Sequence, residues 1–315
     1  MTLTGNEFSF PWEVSLMEWL QSVLPQGGIN VISFFSAFGE ELFLILLLGF
    51  LYWSWDKRMA RRIGLSVLMG TCWGPMIKNV ALRRRPYFDH SGIRLYRPVD
   101  PSADILDISA QGYSFPSGHS CNAAAVFGAF ARELRKKWAW WLCVLIPLLV
   151  GLSRVVVGAH FPTDVLGGWA LGLLAVCAVS FLQKRIQSEL KLYLVLLLTI
   201  LPGFFFCRSS DFFSGAGLLI GFMAGSLLEE KKVRFENTRQ PVRMILRVLG
   251  GAAVFLALNS LLKLPFSKEF LAGGSYASLL VRGVRYAIVA FIEFSVYPML
   301  FKVTAKYGPA EKRKS

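Results

Sequence analysis

Two of the chain's three histidines stand in short strings that also hold cations or a helix start. Lys78 precedes Arg85-Pro86, His119 closes Pro116-Ser117-Gly118-His119, and His160 follows Ser153-Arg154. A phosphoryl group in transfer spreads negative charge over its equatorial oxygens. Its catalysis calls for fixed cations and N–H donors around those oxygens, with a nucleophile and an acid. Lys78, Arg85 and Arg154 supply the cations, and each Arg can hold two oxygens at once. Ser117 is a good helix N-cap, Gly118 lets backbone approach an anion closely, and a helix N-terminus is itself a phosphate site. His119 placed there would protonate the leaving oxygen. His160 becomes a competent nucleophile when a carboxylate holds its second nitrogen, and Asp164 in His160-Phe161-Pro162-Thr163-Asp164 is the candidate. Water would then hydrolyse the phosphohistidine with His119 as base. No zinc spacing and no disulfide framework accompanies the five cysteines, so neither a metal nor another cofactor is expected.

The elements that position these groups follow from composition. The chain has 315 residues, 54% of them hydrophobic, with a net charge of +14 and a mean hydropathy of +0.50. So apolar a chain reads as a membrane protein. The fold class expected is an all-α polytopic bundle of about nine transmembrane helices, since about 20 apolar helical residues cross the bilayer core. The expected spans are 29–53, 62–81, 117–132, 138–156, 164–183, 190–207, 212–229, 243–262 and 284–302. Most of the 34 Lys and Arg fall in 56–62, 132–137, 184–191, 231–247 and 302–314, which nine spans with an external N-terminus place on one side. The positive-inside rule makes that side cytoplasmic, together with the C-terminus, and puts every motif on the outer (periplasmic, extracellular or lumenal) face. Trp53, Trp55, Trp138, Trp140 and Trp141 are expected at cytoplasmic helix ends. The basic charge is spent on orientation and lipid contact, and no nucleic-acid partner is expected.

The chain shows no cleavable signal peptide. Residues 1–28 are expected as an outer-face amphipathic segment, with Trp12, Leu16, Trp19 and Leu20 at helical spacing over 11–25. Residues 29–183 form the expected catalytic core (spans one to five), and 184–315 the accessory spans and a basic tail. Arg83 and Arg84 read as lipid-headgroup contacts, and His90 as a loop residue. Asn122 reads as an interhelical hydrogen bond. Glu293, inside the ninth span, is either functional or paired with a neighbouring helix.

The three strings resemble the motifs of the type 2 phosphatidic acid phosphatase (PAP2) superfamily, which also includes glucose-6-phosphatase and the vanadium haloperoxidases. The resemblance covers about 29–183, and no motif position departs from the pattern. It implies His160 as nucleophile, His119 as acid, Asp164 as the supporting carboxylate, and Lys78, Arg85, Ser117, Gly118 and Arg154 as phosphate ligands. The nine-span layout is similar to glucose-6-phosphatase and sphingosine-1-phosphate phosphatases. The function expected is metal-independent hydrolysis of a membrane lipid phosphate or diphosphate: a polyprenyl diphosphate, phosphatidate or sphingoid phosphate. A sugar-phosphate phosphatase and a lipid phosphotransferase are the enzyme alternatives. A transporter or inactive scaffold on the same fold is the non-enzyme one.

Overall fold

The structure, a computed structural model, describes residues 4–301. Helix α1 (Pro11–Val23) is followed by α2 (Gln26–Phe34), a 3-10 turn to Gly39, and α3 (Glu41–Phe50), which ends in a π-helical turn, Leu51–Trp55. α4 (Lys57–Ala81) leads into a long loop carrying α5 (Pro86–Asp89) and α6 (Ile108–Gln111). α7 (Gly118–Leu134), α8 (Lys137–Val156) and α9 (Pro162–Arg185) complete the core. Beyond it lie α10 (Glu189–Ile200), α11 (Gly203–Phe206), α12 (Ser210–Leu228), α13 (Pro241–Leu261), α14 (Lys268–Ala272) and α15 (Tyr276–Phe291).

A helix occupies every segment where a span was expected. Among the described residues five helices are long and apolar enough to cross a membrane, or six if the pair Gln26–Gly39 and Glu41–Trp55, bent by 50°, counts as one span. The other three expected spans are helical but fall outside that set. α4 carries Lys57, Arg58, Arg61, Arg62 and Lys78, while α7 and α15 have 17 and 16 residues. The basic tail expected beyond the last span lies outside the described residues.

Local chemistry sets the helix ends that matter for function. Asp56 caps α4 by accepting from the N–H groups of Arg58 and Met59. At its other end Leu82 adopts a left-handed conformation (φ 49°) and donates to the Lys78 carbonyl. The chain then runs beside the N-terminal segment, where Asn6 donates to the Leu82 carbonyl and Arg84 donates to that of Asn6. Arg85 therefore does not share the helix of Lys78. It is the N-cap residue of α5, with Pro86 at the first helical position.

Helix approach depends on small residues in two places. A Cβ at Gly168 or Gly172 of α9 would meet the carbonyl oxygens of Ser117 or Cys121 on α7 at 2.5 and 2.4 Å. Along α12, Gly217 and Gly221 stand in the same relation to Gly283 and Ala287 of α15, at 2.1 and 2.2 Å. Both are small-xxx-small stripes of the kind that lets membrane helices touch.

Two expectations are corrected here. α1 does not lie on the surface by its apolar face alone. Glu13 and Met17 are fully buried, and Met17 packs with Ile93, Val155, Phe161 and Val165, while Trp12 and Trp19 stay exposed. Trp53 is not an interfacial ring: it is buried and donates its indole N–H to the Glu293 carbonyl, whereas Trp55, Trp138, Trp140 and Trp141 are exposed.

Candidate active site

Lys78, Arg85, Gly118, His119, Arg154 and His160 all line one cavity of about 430 Å³. Lys78 comes from the last turn of α4, Arg85 from the start of α5, Arg154 from the last turn of α8, and His160 from the turn before α9. Gly118 and His119 open α7, and nothing lies within 4 Å of where a Gly118 Cβ would stand. The first N–H groups of a helix lack intrahelical acceptors, so α7 directs donors and a positive dipole end at this space.

Arg85 is fixed by backbone carbonyls. Its Nε donates to Gln111 and Gly112, both at 2.9 Å, and its Nη1 to Ala159 at 3.0 Å. The same Nη1 lies 3.5 Å from His160 Nε2. Arginine has no acceptor, so this contact is favourable only when Nε2 carries the lone pair and Nδ1 the proton. The nitrogen that faces the cations is therefore the one that carries the lone pair. Arg154 is buried, donates from Nη1 to Ser36 Oγ at 3.2 Å, and has no partner for Nε. Ser36 in turn is 2.7 Å from Ser153 Oγ, which anchors the turn after α2 to α8.

The His160 pKa lies well below the ordinary histidine value. Burial is the largest cause, followed by the charges of Arg85, Arg154 and Lys78, with the Ser114 carbonyl pulling the other way. The imidazole is thus held neutral.

Asp164 and Ser117 do not line the cavity. Asp164 Oδ2 is 3.8 Å from His160 Nδ1, an electrostatic contact longer than a hydrogen bond. That oxygen instead accepts from Ser114 Oγ and from the Phe161 N–H at 2.7 Å, while Oδ1 accepts from Arg83 Nη1 at 2.8 Å. Asp164 thereby ties the turn holding His160 to the segment that leads into α7. Ser117 caps α7 through its buried hydroxyl, which accepts from Ser120 N and Oγ, and its own N–H donates to the Asp164 carbonyl. Its part is to hold the helix start in place.

Arg83 was read from the sequence as a headgroup contact, and the structure corrects this. It is buried, with ion pairs of 2.8 Å to both Glu13 and Asp164, and it donates to Thr163 Oγ1 at 2.7 Å and the Phe8 carbonyl at 2.8 Å. Glu13 completes the network by accepting from Thr163 N at 2.9 Å and Oγ1 at 2.6 Å. Burial of a charge requires such pairing, which explains why α1 docks by its acid. Arg84 likewise pairs with Asp89 at 2.9 Å and Glu7 at 3.2 Å. Arg83 and Thr163 flank the motif strings and could have been found there. Glu13, far away in sequence, carried no local signal. His90 is a loop residue 3.1 Å from Ser9 Oγ, and Asn122 donates to the Gly39 carbonyl on the neighbouring helix at 3.1 Å.

From the polar end the cavity runs inward between α3, α4, α12, α13 and α15. Along α4 it is lined by Lys78, Gly74, Thr71, Val67, Gly64 and Ala60, a single helical face. At 1.5 Å per residue this stretch is about 27 Å long, against about 30 Å for a bilayer core. Phe222, Val248, Phe255 and Phe294 line the inner part, with Glu293 among them. Among the described residues Glu293 has no side-chain partner on a neighbouring helix. Both its carboxylate oxygens are buried without a hydrogen bond.

The sequence matches the PAP2 superfamily over residues 60–188, and the PAP2 superfamily phosphatase transmembrane extension over residues 213–309. It is 42% identical to phosphatidylglycerophosphatase B of Bacillus subtilis over 93 residues, which is 27% of this chain and 44% of that protein. It is 29% identical to an undecaprenyl-diphosphatase of Sulfolobus acidocaldarius over 190 residues, 59% of this chain and 84% of that protein. The chain thus spans less than half of the first relative and most of the second. Among solved structures it is similar to a transmembrane PAP2 type phosphatidylglycerolphosphate phosphatase from Bacillus subtilis, at 26% identity and a TM-score of 0.43, over 56% of this chain and 86% of that one.

Proposed function

From the premise that this chain belongs to the PAP2 superfamily as a multi-pass membrane protein, we propose that it is a metal-independent phosphatase of a lipid phosphate or diphosphate. His160 Nε2 attacks phosphorus, the bond to the leaving oxygen breaks, and His119 gives that oxygen its proton. Lys78, Arg85, Arg154 and the start of α7 hold the charge that develops on the equatorial oxygens. His119 then takes a proton from water, the water oxygen attacks phosphorus, and the P–N bond breaks to release orthophosphate and neutral His160. Asp164 and Ser117 act on this sequence by positioning. The reaction takes place on the outer face, as the distribution of Lys and Arg supports, and the C-terminus is cytoplasmic.

The observation that carries the lipid reading is the continuity of the cavity. Its polar end holds the reacting groups, and its apolar part follows α4 for nearly the thickness of a bilayer core. A soluble sugar phosphate has no use for such a space, whereas an apolar tail fills it. The names of the two relatives, a phosphatidylglycerophosphatase and an undecaprenyl-diphosphatase, support the same class.

The test is phosphate release by purified protein in detergent with EDTA. The substrates are a polyprenyl diphosphate, phosphatidate, sphingosine 1-phosphate and glucose 6-phosphate, with His160→Ala as control. Release from a lipid, lost in the variant, is expected. Turnover of glucose 6-phosphate alone would overturn the lipid reading.

A further inference from the structure

A second recess, of about 270 Å³, is lined by Lys263, Lys268, Leu271, Ala272, Arg282 and Arg285. It lies where the chain leaves α13, passes through α14 and enters α15. Four of its six lining residues are cations, and no acidic side chain is among them. Arg282 and Arg285, one turn apart on α15, present their guanidinium groups to the same space. Such convergence of like charge is unfavourable unless an anion occupies the centre.

Arg285 shows that the recess is built rather than a loose surface cluster. Its side chain is only 6% exposed. Nη2 is tied to Asn259, at 2.9 Å to Oδ1 and 3.3 Å to the backbone carbonyl, while Nε is buried with no hydrogen-bond partner among the described residues. A buried donor left unpaired is costly, and an oxyanion in the recess would relieve that cost. Arg282, held by Ser214 Oγ at 2.8 Å from its Nε, lines this recess and the catalytic cavity alike. The two spaces therefore meet at one side chain, at the same end of the bundle.

We propose that the recess formed by Lys263, Lys268, Arg282 and Arg285 is a second phosphate-binding site, built by the transmembrane extension beside the catalytic cavity. Two Arg forks and two flexible ammonium groups suit a multiply charged tetrahedral oxyanion, which accepts from several directions. The phosphate has two possible sources, orthophosphate passing from the catalytic cavity or the headgroup of an anionic phospholipid in the surrounding leaflet. The site rests on its own residues and stands whichever substrate the catalytic cavity takes.

The experiment uses the full-length protein with His160→Ala, so that nothing turns over. Lys263 and Lys268 are exposed, so their replacement leaves the fold intact. Binding of radiolabelled orthophosphate is measured by equilibrium dialysis for the parent, for Lys263→Ala/Lys268→Ala and for Lys263→Glu/Lys268→Glu. A second arm measures thermal unfolding of the same proteins in nanodiscs of phosphatidylglycerol or of phosphatidylcholine. If free phosphate is the ligand, the parent binds one phosphate more per chain than the Glu variant, and the Ala variant binds it about tenfold more weakly or worse. If a headgroup is the ligand, orthophosphate binding is equal in all three, and the extra stability in phosphatidylglycerol is lost in both variants. Equal behaviour of all three proteins in both arms would overturn the site. Failure of the unmodified protein to release phosphate from any lipid would instead sink the phosphatase reading and leave this result untouched.

Discussion

His160 illustrates how burial among cations changes what an imidazole does. With its pKa driven well below the ordinary histidine value, the ring stays neutral where an exposed histidine would protonate. Nucleophilic attack needs the neutral form. The acid limb of kcat/KM for the free enzyme is therefore expected below about pH 6.5, the ordinary histidine value. A pH profile with its acid limb at that value or higher would contradict this placement of His160. Arg83 makes a different kind of prediction. It compensates two buried carboxylates, Glu13 and Asp164, and touches none of the cavity. Arg83→Ala should cost about 3–5 kcal/mol of stability, because it strands both acids. Thermal unfolding in detergent checks this, and an unchanged midpoint would show that the network does not hold α1 and α9 to the core.

At the scale of elements, the break between α2 and α3 positions His119, the proposed acid. A Cβ on Gly39 would stand 2.5 Å from the His119 carbonyl oxygen and 2.9 Å from its Cα. The bend of 50° and the Asn122 hydrogen bond to the Gly39 carbonyl bring this backbone against the first turn of α7. Gly39→Ala must move one of the two, and an overpacking of this kind costs about 1–3 kcal/mol. The expected result is a kcat lowered by about tenfold or more with little change in KM, since the displaced group acts on the leaving oxygen rather than in binding. Steady-state kinetics on a lipid substrate would show it. An effect confined to KM would mean that the break serves substrate entry instead.

For the whole molecule, the extension matters because it walls the apolar part of the cavity. Leu218 on α12 lines that part and is half-buried. Leu218→Trp should block the space midway. Turnover of a long-tailed substrate is then expected to fall by about tenfold or more, while a short-chain analogue with the same headgroup is processed as before. Equal loss on both substrates would show that the inner cavity does not hold the tail. The glycine stripe on α12 brings α15 to backbone contact, and the cavity opens between these helices and α4.

The sequence alone was enough to name six residues that line one cavity, Lys78, Arg85, Gly118, His119, Arg154 and His160, and most of the helices that carry them. Their chemistry is local: a histidine after a serine and a glycine at a helix start, an arginine at a helix end, an apolar run of bilayer length. Helix positions were legible for the same reason, since hydropathy and capping act within a few residues. The count of crossing segments was less legible, because α4 mixes five cations with an apolar face. What only the tertiary structure decided was partnership. Asp164 was expected on His160 and stands 3.8 Å from its Nδ1, while the hydrogen bonds of its oxygens go to Arg83, Ser114 and the Phe161 N–H. Glu13 was expected on a surface helix, yet it closes a buried network through a residue remote in sequence. The cavity, with Glu293 bare in its inner part, and the basic recess beside it arise between helices distant along the chain. Pairing and enclosure are settled by packing in three dimensions, where a charge must find a partner or stay costly, and no local pattern records which partner it will find.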